Sequence, residues 1–567
     1  MTALRGQWQP LRQAPRLTLV LLVAPVLAGL AGTVWPAFDL RAGGSLAAFR
    51  VLADWPGLAQ SVWLSVSTGV ISTALSLLIT LLIVAALSGS RAFGLLRHLL
   101  SPLLAVPHAA AALGLAFLIA PSGWIARLLS PWATGWTAPP DLLILNDPQG
   151  LALILGLVAK EVPFLLLMAL AALPQTDATR RMMVAQSLGY GRVWGFALTV
   201  LPALCRQLRL PVYAVLTYAM TAVEMAMILG PSLPPTLSVQ ITHWMTDPSL
   251  TQRPIAAAAA LLQLALVLAA VGVWHLAERG ANAALLAAAG RGLRGCTPDP
   301  ALRGLAGMLG AGLAGLLFAG LAGLALWSLA GIWQFPDALP SGLSLKTWAK
   351  AAPDLWATTA TTAAIAALST AAALALVLAC LEAEHRHGLT PGARALWLLY
   401  LPLLVPQIAF LPGLQVLALR LGVDGRLWSV AAVHLVFVLP YVFLSLAPAF
   451  RAWDARQGMA AAALGAGANR TFWRLRLPML LPALLTAAAV GAAVSVGQYL
   501  PSLLIGGGRI ETLTTEAVAL SSGGNRRVIG AYALLQMTLP ALGFALALAL
   551  PRLVFANRRG MWTEVRV

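Results

Sequence analysis

A few side chains that could carry a charge or bind a polar group stand inside the long apolar stretches of this sequence. Glu224 is an isolated carboxylate in one such stretch, and Gln498 and Tyr499 occupy the corresponding depth of another. His108 and Gln407 each follow a Val-Pro pair. Ionisable and polar side chains at membrane depth are costly, and they commonly mark the route of a substrate or an ion. We therefore predict that these five residues line a translocation pathway.

A lysine and a glutamate share another apolar stretch. Lys160 and Glu161 are adjacent, so their side chains point about 100° apart on a helix. We expect them to neutralise each other or to pair with a neighbouring helix rather than to line the pathway. His434 is expected to be a hydrogen-bonded packing residue.

Two motifs resemble sites of other chemistry. Gly310-x-Gly312-x-x-Gly315 has the spacing of a dinucleotide-binding loop, but no strand precedes it, so it predicts a helix-packing seam instead. The flanking glycines of this seam are Gly304, Gly307, Gly320 and Gly323. The segment Glu384-His385-Arg386-His387 is expected to be a solvated charged turn rather than a metal site. No nucleophilic side chain is found together with a base, and the spacing of the three cysteines supports neither a disulfide framework nor a zinc site. The sequence therefore predicts no catalytic residue, no metal site and no bound cofactor.

The composition is that of an integral membrane protein. Of the 567 residues 60% are hydrophobic and 10% are charged, with a mean hydropathy of +0.84, whereas soluble domains have about 45–50% apolar and about 25% charged residues. So few charges could not cover a soluble surface, and the lipid bilayer is the expected surrounding. The net charge of +18 would suit nucleic acid, but the 37 basic residues are dispersed between apolar stretches. We therefore expect no nucleic-acid partner.

The apolar stretches predict an all-α polytopic protein with about twelve transmembrane helices. Each stretch can cross about 30 Å of hydrocarbon. The predicted spans are 17–36, 62–87, 95–119, 150–172, 207–230, 256–276, 305–332, 355–380, 394–417, 428–450, 481–505 and 530–551. Loops on the side of the N-terminus hold 25 lysines and arginines against 11 on the opposite side, which places both termini in the cytoplasm. The first span is expected to be retained rather than cleaved.

A cytoplasmic segment is repeated once. The segment after the fourth span reads VAQSLGYGRVWGFALTVLPAL (184–204), and the segment after the tenth reads AAAALGAGANRTFWRLRLPML (460–480). In both copies a proline follows the glycine by 13 residues, and the two copies lie 276 positions apart. The outer segments 236–240 and 512–516 match at the same offset. The chain is therefore predicted to contain two parallel six-helix repeats, with the pathway between them.

The two repeated segments resemble the EAA motif of ABC importer permeases, and the whole chain resembles a fused double permease of the ferric-iron and thiamine type. The motif's leading Glu is replaced by Met183 in one copy and by Met459 in the other. The motif residues that carry over are Ala185, Gly189 and Pro202 in the first copy and Ala460, Ala461, Gly465 and Pro478 in the second. The resemblance implies the type I ABC permease fold, in which these segments dock on an ATP-binding subunit. It also implies two copies of that subunit, a periplasmic substrate-binding protein and a place in the bacterial inner membrane.

The same resemblance implies a permease subunit that moves a small solute and is not itself an enzyme. No Walker A motif is present, because none of the three lysines follows a glycine, so ATP is expected to bind a separate chain. The predicted units are an N-terminal tail with the first span and its outer loop (1–59), a first permease domain (60–277), a linker (278–303), the seventh span with its outer loop (304–353), a second permease domain (354–553) and a C-terminal tail (554–567).

A secondary active transporter with parallel six-helix repeats is the alternative. It would explain the topology and the repeat, but it calls for coupling-ion carboxylates at mid-span and gives no reason for the duplicated segment. The substrate stays open among ferric iron, thiamine, a polyamine and others, with Glu224 favouring a cation.

Overall fold

The structure is a computed structural model that describes residues 9–40, 43–294, 298–390 and 392–555. Over these ranges the regular structure is helical, and the two halves of the chain form similar sets of helices. The helices of the first half are α1 (Gln9–Ala37), α2 (Ala47–Ala53), α3 (Leu58–Leu87), α4 (Arg91–Leu100), α5 (His108–Ile119), α6 (Trp124–Leu129), α7 (Leu151–Ala172), α8 (Ala178–Ser187), α9 (Arg192–Thr199), α10 (Leu201–Thr221), α11 (Glu224–Leu229), α12 (Leu237–Thr246) and α13 (Gln252–Gly290).

The second half repeats this order. Its helices are α14 (Asp299–Leu329), α15 (Lys346–His387), α16 (Ala393–Leu404), α17 (Gln407–Arg420), α18 (Leu427–Arg451), α19 (Ala455–Ala463), α20 (Ala468–Thr471), α21 (Leu477–Met479), α22 (Leu481–Val496), α23 (Leu500–Gly506), α24 (Leu513–Ser521) and α25 (Arg526–Val554). A π-helical turn (Phe472–Arg476) joins α20 to α21.

Among the described residues nine helices are long and apolar enough to cross a membrane, or up to eleven if each of two bent pairs is one span. The predicted span that is missing from this set is 207–230, which falls on α10. Arg206 and Arg209 in its first half lower its hydropathy below that of the other spans. The predicted all-α polytopic fold is confirmed, and the spans are less regular than the sequence suggested.

The irregularities occur at prolines inside predicted spans. The predicted span 95–119 is broken at its Val-Pro pair, because α4 ends in a 3₁₀ turn (Ser101–Ala105) and α5 begins only after Pro107. At the matching place in the second half, the helices on either side of Pro406 meet at 90°. A proline lacks the backbone donor that a continuous helix needs and disfavours helical conformation in the residue before it.

The first helix of each half packs against helices of the other half. α1 lies along α17 and contacts α15, both of the second half, and α14 lies along α5 and α3 of the first half. Glycines permit the close approach: a Cβ added to Gly32 would stand 2.9 Å from the Cα of Gly413. The Gly413 amide also donates to Thr33 Oγ1 at 3.1 Å.

The structure adds detail to two sequence expectations about this region. The predicted linker 278–303 is helical over its first part, because α13 continues to Gly290 through an alanine-rich segment that favours helix. Within the predicted glycine seam of α14, Gly310, Gly320 and Gly323 pack against other helices. A Cβ added at any of the other four seam glycines would meet open space: Gly304, Gly307, Gly312 and Gly315.

Candidate functional site

A polar cluster of the first half forms where α5, α7, α10 and α11 meet. The break before α5 places His108 at the first turn of that helix, where its ring lies 4.6 Å from the ring of Tyr218. Tyr218 donates a hydrogen bond of 2.9 Å to Glu224 Oε1. The His108 side chain is 36% exposed, and its Nε2 lies 4.0 Å from Glu161 Oε1. His108 and Glu224, which the sequence placed on one pathway, therefore both contact Tyr218.

The ammonium group of the neighbouring lysine donates to backbone carbonyls rather than to this cluster. Lys160 Nζ donates to the carbonyls of Leu103 (2.9 Å) and Val106 (2.6 Å), in the break between α4 and α5. Of the two arrangements expected for the Lys160–Glu161 pair, the structure has pairing with neighbouring helices rather than mutual neutralisation. Lys160 thereby fixes the backbone that carries His108.

The second half contributes amides and phenols to the same region. Gln407, at the start of α17, donates to Gln498 Oε1 at 3.3 Å. The Tyr499 hydroxyl reaches across to the first half and donates to Met227 Sδ at 3.4 Å. The five predicted pathway residues thus form two groups, one in each half, and Tyr499 of the second group contacts α11 of the first half through Met227.

His434 is a packing histidine, as predicted. It is 1% exposed, and its ring nitrogens lie 2.8 Å from Ser495 Oγ and 3.0 Å from Ser502 Oγ. Thr362 and Gln498 lie beside the same site. The corresponding positions of the first half are apolar, so this hydroxyl-rich site belongs to the second half alone.

The two repeated segments adopt the same helix–turn–helix geometry at one end of the bundle. Gly189 and Gly465 have φ of +80° and +81°, the left-handed conformation that ends a helix most readily at glycine. In the first copy the Tyr190 amide donates to the Ala185 carbonyl at 3.1 Å, and 276 positions later the Ala466 amide donates to the Ala461 carbonyl at 2.9 Å.

The prolines of the two segments occupy matching positions as well. Pro202 and Pro478 each stand in the first turn of the helix that follows the segment. A helix tolerates proline there because the first backbone donors have no intrahelical acceptor.

The side chains exposed on these segments differ from those expected. Ala185 is 1% exposed and packs inside its own segment against Gly195, so it does not itself face outward. Ala460 is exposed and Ala461 is half-buried. The outward faces instead carry large apolar side chains at matching positions, namely Met183 (59% exposed), Leu188 (57%), Met459 (64%) and Leu464 (89%).

The first segment is anchored to the linker and to α3. Asp299 accepts hydrogen bonds from the backbone amides of Arg192 (2.6 Å) and Val193 (3.3 Å), the first residues of α9. The Arg192 guanidinium donates to Ala85 O at 3.0 Å at the end of α3, and Trp194 Nε1 donates to Leu293 O at 2.8 Å. Burial lowers the pKa of Arg192, and the nearby Arg303 lowers it further. The end of the linker thus holds α9 in place.

The second segment is anchored by a buried ion pair. Arg476, in the π-helical turn, and Glu382, near the end of α15, lie 2.6 Å apart with side chains 4% and 6% exposed. Glu382 also pairs with Arg386 at 2.6 Å, and Arg451 pairs with Glu384 at 2.9 Å. The segment 384–387 therefore forms the last turn of α15 rather than a separate turn, with His385 and His387 exposed and Glu384 and Arg386 in ion pairs. No group of three His, Cys, Asp or Glu residues in the described ranges could hold a metal ion.

Sequence reasoning missed the aromatic part of the pathway cluster. Tyr218 links two predicted residues, since it donates to Glu224 and lies against the ring of His108. The chain has only seven tyrosines, and this small number was the signal that could have drawn attention to Tyr218.

Comparison with known proteins gives relatives of one kind. The chain is 31% identical over 543 residues to the inner membrane ABC transporter permease protein YnjC of Escherichia coli K12, covering 96% of this chain and 97% of that protein. It is 31% identical over 180 residues to the molybdenum transport system permease protein ModB of Mycobacterium tuberculosis, 28% of this chain and 67% of that protein. It is 25% identical over 142 residues to the spermidine/putrescine transport system permease protein PotC of Haemophilus influenzae, 25% of this chain and 55% of that protein. No family model matches the chain.

Proposed function

We propose that this chain, which belongs to the family of inner-membrane ABC transporter permeases, is the permease subunit of an ATP-driven importer and is coupled to a separate ATPase. Family membership rests on 31% identity over 96% of the chain. It disfavours the secondary active transporter, which the span count and the repeat alone left open. The chain itself contributes no ATP-binding motif, so we assign ATP binding and hydrolysis to the partner.

The observation that carries this proposal is the duplicated pair of exposed apolar side chains. Met183 and Leu188 recur 276 positions later as Met459 and Leu464, on segments of the same backbone geometry. Exposed apolar side chains of this size mark contact surfaces when they cluster. Because the surface occurs twice, it fits two copies of one partner, one on each half. Methionine in place of the motif's glutamate makes this contact apolar.

The coupling is proposed to act through the anchors of the two segments. A partner that moves either segment also pulls on the helix that it is tied to, α3 through Arg192 and α15 through Arg476. α3 and α15 in turn pack against α10 and α22, which end just before Glu224 and Gln498 respectively. Such a chain of contacts supports rigid-body alternation between two states.

The pathway is proposed to run between the halves, past Glu224, Gln498 and Tyr499 with His108 and Gln407. On the outer side, the segments 236–240 and 512–516 are candidate parts of the face for a periplasmic binding protein. Both termini are proposed to lie in the cytoplasm, and the bias of basic residues supports this orientation. The names of the relatives include an oxyanion system and a polyamine system, so family membership leaves the sign of the substrate's charge open.

The test is co-purification of the ATPase with two variants. We expect the solubilised wild-type chain to bring down two ATP-binding subunits from its native host, and Leu188→Asp plus Leu464→Asp to lose them. Leu233→Asp is the matched control, since Leu233 is 93% exposed and lies at the opposite end of the bundle. Unchanged co-purification with the double variant, or uptake of solute without ATP, would overturn the proposal.

A further inference from the structure

Two arginines from different halves of the chain donate hydrogen bonds to one serine. Ser122 follows α5, and its carbonyl accepts from Arg127 Nε at 3.1 Å and from the Arg526 guanidinium at 3.0 Å. The Arg526 guanidinium also donates to Ser122 Oγ at 2.6 Å. Arg127 lies in α6 of the first half, whereas Arg526 is the first residue of α25 in the second half. Ser122 therefore joins the two halves directly, and we refer to these three residues as the Ser122 cluster.

The Ser122 cluster lies at the end of the bundle opposite the two repeated segments. α14 begins at Asp299, which caps α9 of the first repeated segment. The 31 residues of α14 then span about 45 Å, at 1.5 Å per residue. Near the far end of α14, the indole of Trp327 packs against both guanidiniums of the cluster, whose Cζ atoms lie 5.3 Å (Arg127) and 5.1 Å (Arg526) from the ring centroid. This end is the proposed periplasmic side.

The chemistry of the Ser122 cluster makes it a favourable contact that can still open. Guanidinium groups are attracted to the face of an indole, more strongly where water is excluded, and Arg127 and Trp327 are 5% and 7% exposed. In the described ranges neither Arg127 nor Arg526 forms an ion pair with a carboxylate. Their acceptors are a carbonyl and a hydroxyl, which hold a guanidinium less tightly than a carboxylate does. The two halves can therefore part here without separating an ion pair.

The matching place in the repeat lacks this contact. Leu421 stands 15 residues after Pro406, as Ser122 stands 15 residues after Pro107, but Leu421 has an apolar side chain that is 66% exposed. α13 corresponds to α25, and Nε of Arg253 in its first turn has no hydrogen-bond partner among the described residues. Within the part of the chain that the structure describes, the arginine contact therefore joins the halves on one side of the repeat only.

We propose that the Ser122 cluster is a one-sided latch, which holds α5 and α25 together while the two halves separate on the opposite side, between α17 and α13. Two bodies joined by unequal contacts separate first where the contact is weaker, so the rigid-body movement of the halves becomes asymmetric. This inference rests on the proposed function, because it assigns how the far end of the permease opens, and it adds a fixed side to that opening.

The test measures distances between pairs of spin labels by pulsed electron paramagnetic resonance. The sample is the detergent-solubilised full chain with its native cysteines replaced by serine. Trp132→Cys with Ser522→Cys spans the latched side, and Leu421→Cys with Leu250→Cys spans the opposite side. All four positions are exposed, and Ser522 and Leu250 lie in the matching turns before α25 and α13. We expect a narrower distance distribution for the first pair than for the second.

Three substitutions identify the side chains that hold the latched side. Arg526→Met should widen the distribution of the first pair toward longer distances and leave the second pair unchanged, because it removes the hydrogen bonds to Ser122. Ser122→Ala removes only the hydroxyl acceptor and should widen the first distribution less. Arg253→Met is the matched control at the corresponding helix start, and it should change neither distribution. A cooperative melting transition of each variant shows that it folds.

The latch is overturned if the two wild-type distributions are equally wide. It is also overturned if folded Arg526→Met leaves the first pair unchanged or widens both pairs alike. In the complex with the ATPase, ATP should lengthen the second distance and leave the first in place, and equal lengthening of both would again contradict a fixed side.

The measurements on the isolated chain contain no ATPase, so the two proposals fail separately. The expected distributions in a chain that never brings down an ATP-binding subunit would overturn the proposed function alone. Co-purification of the ATPase with equal distributions on the two sides would overturn the latch alone.

Discussion

Gly320 on α14 lies backbone to backbone against Gly114 on α5, so that a Cβ added to Gly320 would stand 2.9 Å from the carbonyl carbon of Gly114. α14 opens the second half of the chain, and α5 belongs to the first. Gly413, which contacts Gly32 of α1, occupies the position in α17 that Gly114 occupies in α5, six residues after the Val-Pro-His or Val-Pro-Gln break. The two halves therefore exchange their first helices through equivalent glycine contacts.

Gly320→Val should destabilise this exchange, because the added side chain would force α14 away from α5. Overpacking of a tight contact costs about 1–3 kcal/mol, so the melting temperature of the solubilised chain should fall. Gly315→Val is the control on the same helix, where a Cβ would meet nothing within 4 Å. Equal melting temperatures for the two variants would contradict the contact.

Gly189→Arg combined with Gly465→Arg should abolish association with the ATPase while leaving membrane insertion intact. Both glycines have positive φ, which arginine adopts only with strain, and both stand on the proposed docking surface. Co-purification and membrane fractionation measure the two properties. The Asn variants at both positions should retain more binding, since asparagine tolerates this conformation, and full binding by the arginine variant would argue against the coupling role.

Arg476→Met should lower stability strongly, because it leaves Glu382 buried with one of its two arginine partners removed. Breaking a buried pair from one side typically costs about 3–5 kcal/mol. Combining Arg476→Met with Glu382→Gln should recover much of the loss, which a double-mutant cycle of melting temperatures detects. The ion pair between Arg509, whose side chain is 60% exposed, and Asp424 is the comparison, and its loss should cost at most about 1 kcal/mol.

Asp299→Ala should loosen the first repeated segment (184–204) and leave the second (460–480) unchanged. The carboxylate caps α9 through two backbone amides, and loss of such a cap costs about 1 kcal/mol. Hydrogen exchange at the first amides of α9 should accelerate, while exchange in α19 stays at the wild-type rate. Acceleration in both segments would show that the linker does not act on the first one specifically.

The sequence was sufficient for the class of the protein, the helical fold and the repeat. Each rests on a property that is local or periodic along the chain: apolar length, the count of basic residues, and the 13-residue spacing from Gly189 to Pro202 and from Gly465 to Pro478. The left-handed conformation at these two glycines can also be predicted locally, because glycine is the residue that adopts it without strain.

The contacts between distant segments could not be obtained in this way. Where Lys160 donates its hydrogen bonds depends on acceptors 54 and 57 residues away in the chain, and which half α1 packs against depends on contacts 380 residues apart. Hydropathy is the same for a helix that packs on its own half and for one that crosses to the other. The sequence showed that the pathway residues are acidic in one half and neutral in the other. Only the tertiary structure showed that Tyr218 joins His108 to Glu224 and that Gln407 donates to Gln498, because such contacts depend on how the helices pack, which hydropathy does not specify.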